Sequence, residues 1–450
     1  MNQNIANALF YIILVLVETL AIFIYGFYYT ESAFELLQFN TSVVVVLTFL
    51  MLFLFLGIAF YFTFVRSYRL SAITNVLLTA VVTIQWYLLW NNLWDIAWND
   101  TKIVLTLSAS QIGQAILSAI ALSVGISAIL GKTNSLQVLM AALFAVVCYT
   151  INEHIIFNSL TTIDFGGSIR VWTFGGFYGL GLTFFFNKKE SKHNRFNITD
   201  VNSNQHAYWG ALLMFCLFPL FNNALPVIKG SALSFYPFVN TLFCLIGSVL
   251  GGLMMSKILN NGKSHIENLF QSTVLGGVLI GAGCGILTDP YVAYVVGLLG
   301  AIISNILFKF VTPVMARLVA HDVPSVFLTF GLNGLFGGVL SAIFRARYLT
   351  QGEIQVAAFG ISAGIGLGAG IIIGLIIMFL GSYTVESEFF NDNQVVYTDS
   401  IVEYSTNPIP FYDSGRRIYL DDNYSYKQVN MNTTEMEYMT IKNHGSTPHL

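Results

Sequence analysis

Charge is scarce in this sequence. Asp, Glu, Lys and Arg together make up 10% of the chain, against about a quarter of an ordinary soluble protein. Apolar residues make up 55%. A soluble globular enzyme is excluded, because so few polar groups cannot cover that much apolar surface. Disorder is excluded for most of the chain for the same reason. Strict polar–apolar alternation is missing too. The apolar runs are unbroken, which speaks against a transmembrane β-barrel. Cysteine is rare: Cys148, Cys216, Cys244 and Cys284 all lie inside apolar runs. They read as small buried core residues and not as a disulfide frame. The seven histidines do not cluster. His154 and His321 lie near span ends without ligand spacing, so no metal site and no cofactor are expected. Lys and Arg are absent from Met1 to Leu9. The apolar run that follows is too long for a signal-peptide core, so it reads as a retained span. A net charge of -3 implies no nucleic-acid partner.

What is present is a series of apolar runs, each about 20 residues long and so able to cross a bilayer as a helix. Twelve are expected, at 6–28, 42–64, 71–93, 104–130, 134–158, 168–187, 206–225, 233–258, 268–287, 290–311, 324–345 and 357–382. With the N-terminus in the cytoplasm, the inner loops and span ends hold eleven basic residues: Arg66, Arg69, Lys132, Lys188, Lys189, Lys192, Arg195, Lys257, Lys263, Lys309 and Arg317. The outer ones hold four, Lys102, Lys229, Arg345 and Arg347. That bias selects this orientation and puts the polar tail, 383–450, in the cytoplasm. Sequons at Asn40 and Asn99 then face outward and permit glycosylation. The tail has ten acidic and four basic residues and little apolar periodicity. It reads as a solvated segment, or as a docking segment for a partner.

An internal repeat follows from laying 164–186 over 322–344, an offset of 158. Asp164 falls on Asp322, Gly176 on Gly334, Gly179 on Gly337, Leu182 on Leu340 and Phe186 on Phe344. Trp172 falls on Phe330, and Tyr178 on Phe336. The offset spans five helices. An odd number of helices per repeat inverts the second copy in the bilayer, as in many transporters. The expected fold is an all-α polytopic membrane protein of about twelve helices with a 5+5 inverted repeat. Its expected parts are residues 1–40, an extra helix and outer loop; 41–382, the transport domain; and 383–450, the tail. Within the domain the repeats cover 41–187 and 206–345, and 357–382 closes it.

Several stretches in order carry a family likeness: Ser71-Ala72 leading to Ile84-Gln85-Trp86, then Leu130-Gly131-Lys132, Asn152-Glu153, Asp164 to Ser168, Thr173 to Leu180, Phe221-Asn222, Gly276-Gly277 and Thr312-Pro313. Over about 40–380 the chain resembles the ammonium transporter and Rhesus glycoprotein superfamily, its Rhesus-like branch in particular. The resemblance implies a homotrimer, a narrow pore in each subunit, and passage of ammonium, ammonia or another small neutral solute. It also implies an integral membrane protein of the plasma membrane or an organelle. In the family two pore histidines face each other at mid-membrane, each eight residues after an aspartate. Here those positions are Trp172 and Phe330.

Two imidazoles can share a proton, whereas an indole offers one N–H and a phenyl ring offers neither donor nor acceptor. Trp172 and Phe330 therefore either pack and fill the lumen or line an open hydrophobic path. Asp164 and Asp322 each precede a span, so they read as helix caps, and in the family as carboxylates that hold the pore wall. Phe221 matches the family's gating phenylalanine, and the position of its usual partner falls at Leu117. Arg170 either faces a cavity, where it would repel ammonium, or pairs with an acid such as Glu153. Gly364, Gly366, Gly368 and Gly370 lie in an apolar span, so they read as close-packing positions, as do Gly247 and Gly251, and not as a phosphate loop. Two functions follow. One is a channel-like route for ammonia or a small neutral solute. The other is a non-conducting structural or scaffold subunit of a larger membrane complex. No nucleophile–base set is present, so an enzyme is not expected.

Overall fold

The computed structural model describes residues 3–28, 41–99, 107–188, 191, 194, 196–231, 233–318, 322, 324–348, 352–380, 389–392 and 395, together with three short strands beyond 410. Asn40, Lys102, Lys189, Lys192, Arg195 and His321 lie outside the described residues, as does the side chain of Asn99.

Twelve long helical segments correspond to the twelve apolar runs. They are α1 (Gln3–Tyr28), α2 (Thr41–Tyr61), α3 (Arg69–Asn99), α4 (Ala109–Ser127), α5 (Ser135–Ser159), α6 (168–183), α7 (Val201–Phe221), α8 (Phe235–Leu259), α9 (Ile266–Ile280), α10 (Pro290–Leu318), α11 (Phe327–Arg347) and α12 (Gly352–Leu380). Nine of these, among the described residues, are long and apolar enough to cross a membrane. Capping boxes open three of them: Ser108 with Gln111 at α4, Asn134 with Gln137 at α5, and Asp200 with Ser203 at α7. Each exchange satisfies backbone N–H groups that the first turn leaves unpaired.

The distribution of polarity is that of a protein in lipid. Large apolar side chains such as Ile22, Tyr11, Phe235, Tyr291 and Ile372 point outward. Asn152, Asn222, Asn240, Asn305 and Asn333 are fully buried. Their amides hydrogen-bond across helices, as when Asn240 donates to the Cys284 and Leu287 carbonyls at 2.7 and 2.9 Å. Such bonds hold helices together where apolar burial cannot, because lipid is as apolar as leucine. The protein is an integral membrane protein.

Glycines set several crossings. A Cβ at Gly247 or Gly251 would strike the α10 backbone at Tyr294 or Leu298, so α8 and α10 touch there. Gly366 and Gly370 of α12 meet α6 in the same way, while Gly364 and Gly368 face open space. The glycine run is thus half packing surface. Of the cysteines, Cys244 and Cys284 are buried as expected, but Cys148 is half-buried and Cys216 exposed. Being apolar and small, they suit lipid and core alike.

Contacts divide the chain into 1–396 and 397–450. Phe389, Phe390 and Asp392 therefore belong to the membrane unit, not to a free tail. In the second unit three strands, Phe411–Asp413, Arg416–Leu420 and Tyr426–Gln428, form an antiparallel sheet in sequence order. The sequence shows no such periodicity.

Candidate functional site

The two halves of the site are built alike. Both α6 and α11 begin with a wide π-helical turn, 168–173 and 327–332. Each turn is held by its aspartate: Asp164 Oδ2 accepts the Arg170 N–H at 2.9 Å, and Asp322 Oδ2 accepts the Phe327 N–H at 2.8 Å. The wide turn frees carbonyls, and side chains take them up. Thr173 Oγ1 donates to Ser168 O at 2.7 Å, and Asn333 Nδ2 donates to Leu328 O at 2.8 Å. A Cβ on Gly176 would sit on Gly331, and one on Gly334 would sit on Thr173. Those are the same contact seen from each half, because Gly331 lies 158 residues beyond Thr173 and Gly334 lies 158 beyond Gly176. This crossing brings the two wide turns together. A π turn also rotates the side chains that follow it, and such turns recur at functional sites.

The crossing juxtaposes Trp172 and Phe330. Their rings stack with centroids 5.4 Å apart and planes 22° apart. Both have no exposed surface. The Trp172 indole N–H donates to Gly166 O at 3.1 Å, so it is used within its own loop. No hydrogen-bonding group of this pair faces the gap between the halves.

Further rings close in from both sides. Phe221 lies 5.4 Å from Trp172, and Phe218 lies 5.7 Å from it. The ring stacked on Phe221 is Phe53 of α2, at 4.6 Å and 25°. Leu117 is buried in α4 and contributes no ring. Against Phe330 stand Tyr61 at 5.6 Å and Phe62 at 6.3 Å, and Phe270 backs Tyr61 at 5.4 Å. Eight buried rings thus form one continuous column. Five of them, Phe53, Tyr61, Phe62, Phe218 and Phe270, were not singled out in the sequence. Phe218 was within reach, because it stands one helical turn from Phe221. The other four come from α2, the turn after it and α9, and nothing local marks them among 38 phenylalanines and 22 tyrosines.

Arg170 resolves to its second reading. Its Nη1 bonds Glu153 Oε1 at 2.5 Å, with both side chains buried. Tyr87 donates to the other oxygen, Oε2, at 2.5 Å, and the guanidinium lies over the Phe157 ring at 5.0 Å. Beside this pair is a polar cavity of about 250 Å³ lined by residues including Asp95, Gln114, His154 and Lys229. His154 pairs there with Asp95 at 3.1 Å. The Lys229 ammonium sits 4.8 Å over the other contact partner of Arg170, Phe157. Two cations therefore share one ring at this mouth.

A sequence profile of the Ammonium Transporter Family matches residues 7–399. The chain belongs to the ammonium transporter family. Among curated relatives, Ammonium transporter Rh type C of Xenopus laevis is 26% identical over 352 residues, covering 72% of this chain and 73% of the relative. The human Rh type C protein is 28% identical over 351 residues, with 72% of each covered. The solved structure of Nitrosomonas europaea Rh50, of the Rhesus protein family of channels, is similar at 26% identity and a TM-score of 0.70. It covers 80% of this chain and 92% of that one. A sensor Amt protein shares the fold alone, at 16% identity and a TM-score of 0.64, over 78% of this chain and 96% of that one. The membrane unit is accordingly a Rhesus-like member of this family, with its 5+5 inverted-repeat fold.

Proposed function

We propose that this chain is a Rhesus-type transport-family protein whose route is closed at mid-membrane by an aromatic plug. The twin-histidine positions carry the plug, at Trp172 and Phe330, and Phe53 and Phe221 form the gate beside it. Asp164 and Asp322 hold the wall by capping the two wide turns. The observation that carries this reading is the Trp172–Phe330 stack, fully buried and without a free polar group. A proton relay needs a group that can both accept and donate, and neither ring can. A bare ammonium at that depth would be costly, and the offset stack leaves no ring face open to it. Proton-coupled ammonium transport is therefore not the activity. Slow passage of neutral ammonia, or of another small neutral solute, is the most that the plug permits. The eight-ring column equally suits a non-conducting subunit kept for its place in a membrane complex. The assembly is a homotrimer in the plasma membrane, with 383–450 in the cytoplasm, and the protein is not an enzyme.

The test is an ammonia pulse on proteoliposomes carrying an internal pH dye. The unaltered protein should match, or nearly match, empty liposomes. Trp172→His with Phe330→His should raise the rate. Fast, saturable uptake by the unaltered protein would refute the plug. A native mass in detergent should show three copies, and only monomers would refute the assembly.

A further inference from the structure

The α3 helix carries a polar residue at every fourth position through the membrane: Ser71, Asn75, Thr79, Thr83, Tyr87 and Asn91. All six are buried, and the row ends at Asp95. Four residues of helix rise about 6 Å, so the row is about 36 Å long, more than the roughly 30 Å of a bilayer's hydrocarbon core. The α3 helix packs on α4 and α5.

Both ends of the row are hydrogen-bonded. At one end Ser71 donates to Asp392 at 2.7 Å, and Asn75 Nδ2 donates to the Tyr68 hydroxyl at 2.8 Å. At the other, Tyr87 bonds Glu153, Asn91 donates to Asp95 at 3.2 Å, and Asp95 meets His154. The middle is different. Asn75 Oδ1, Thr79 Oγ1 and Thr83 Oγ1 are fully buried and have no partner among the described residues. The same holds for the Tyr149 hydroxyl of α5, whose ring lies 6.4 Å from that of Tyr87. Thr312 and Thr329 are likewise without a partner among the described residues, but several other helix threonines are bonded. Thr48, Thr74, Thr150 and Thr273 each donate to the carbonyl four residues back at 2.8–3.0 Å. Thr79 and Thr83 do not, so their hydroxyls are turned off their own helix into the packed seam.

A buried hydroxyl without a partner is strongly unfavourable, and ordered water is the usual remedy. The spacing suits water. A rise of about 6 Å between rungs is two hydrogen bonds of about 2.8–3.0 Å, with one molecule between. We propose that this seam binds a single file of water molecules and carries water across the membrane. Trp172 and Phe330 contribute no group to it, so it runs independently of the aromatic plug. If instead the row serves helix packing alone, it is dry.

Two measurements on ammonium-free proteoliposomes decide. The first is shrinkage after an osmotic step, followed by light scattering. The unaltered protein should shrink faster than protein-free liposomes. Thr79→Val with Thr83→Val should return the rate to the protein-free level, and Thr79→Ser with Thr83→Ser should keep it. The second is hydroxyl-radical footprinting by X-rays on the unaltered protein, which needs no variant to fold. Tyr149 should oxidise faster than Tyr178, which is as buried but donates to Ala141 O at 3.1 Å. Shrinkage at the protein-free rate overturns the proposal. So does a rate that the valine pair leaves unchanged, or a Tyr149 as protected as Tyr178.

Discussion

Replacing Glu153 by leucine removes one half of the buried ion pair with Arg170. The remaining guanidinium is only 1% exposed, so water cannot replace the lost carboxylate. Its Nε and Nη2 have no partner among the described residues, and Asp164 takes only its backbone N–H. What remains is the Phe157 face, worth about 0.5–2 kcal/mol. Leaving a buried charge uncompensated costs about 3–5 kcal/mol. Glu153→Leu should therefore destabilise by about that much, Tyr87 keeping Gln114 and Asn91 as substitutes. Arg170→Met should cost a similar amount, because Glu153 then retains Tyr87 alone. The double variant should recover most of the loss, since two apolar groups of like volume are often neutral in place of a buried pair. The assay is a double-mutant cycle by reversible unfolding in mixed micelles. The coupling expected is the sum of the two single losses less what the double variant still loses, about 5 kcal/mol or more. Single variants each within about 1 kcal/mol of the parent, or a double variant that loses the sum of both, would refute the reasoning.

Gly176→Ala should abolish the monodisperse folded peak on size-exclusion chromatography, because its methyl group would overlap the Gly331 backbone and cannot be relieved by a rotamer change. Gly364→Ala, which faces open space, should leave it intact and gain up to about 1 kcal/mol of helix propensity. The segment at 389–392 is latched by Asp392, which accepts from the Ser71 N–H at 2.8 Å, and by Phe390, whose ring fills the space above Gly131. Gly131 has φ +77, and any side chain there would displace that ring. Burial pushes the Asp392 carboxyl up from 3.8, against the hydrogen bonds from Ser71. A raised folded-state pKa means that this group favours docking below 3.8 and loses that contribution as pH rises through its higher folded value. Protection of the Ser71 and Phe390 amides, measured relative to their intrinsic exchange rates, should accordingly fall across that rise in the parent. The protection in Asp392→Asn should stay flat with pH, and the same slope in both would count against the latch.

How far the site could be read in advance depended on how local its signals are. The 158-residue offset pairs Asp164 with Asp322 and Trp172 with Phe330, and the family resemblance, eight residues after each aspartate, marks Trp172 and Phe330 as pore positions. Phe221, in the run Phe218 to Asn222, is marked by its match to the family's gating phenylalanine. Phe53, Tyr61 and Phe270 could not be, because a phenylalanine in an apolar helix looks the same whether it meets lipid or another ring. The partner of Phe221 was expected at Leu117, and Phe53 of a different helix supplies the ring.

Composition and apolar run length alone pointed to an all-helical membrane protein of about twelve long apolar helices, because the bilayer demands stretches of that length with their backbone bonds made internally. The repeat was also legible, since capping aspartates and crossing glycines are required by local backbone geometry. Only the tertiary structure decided what lies at the centre. The α6 and α11 helices must cross at Gly176 and Gly331 before Trp172 can stack on Phe330. Likewise Arg170 could have faced a cavity or an acid, and the packing of α5 against α6 chose Glu153. Side chains 17 residues apart or more meet only where helices pack, and helix packing is a property of the whole bundle.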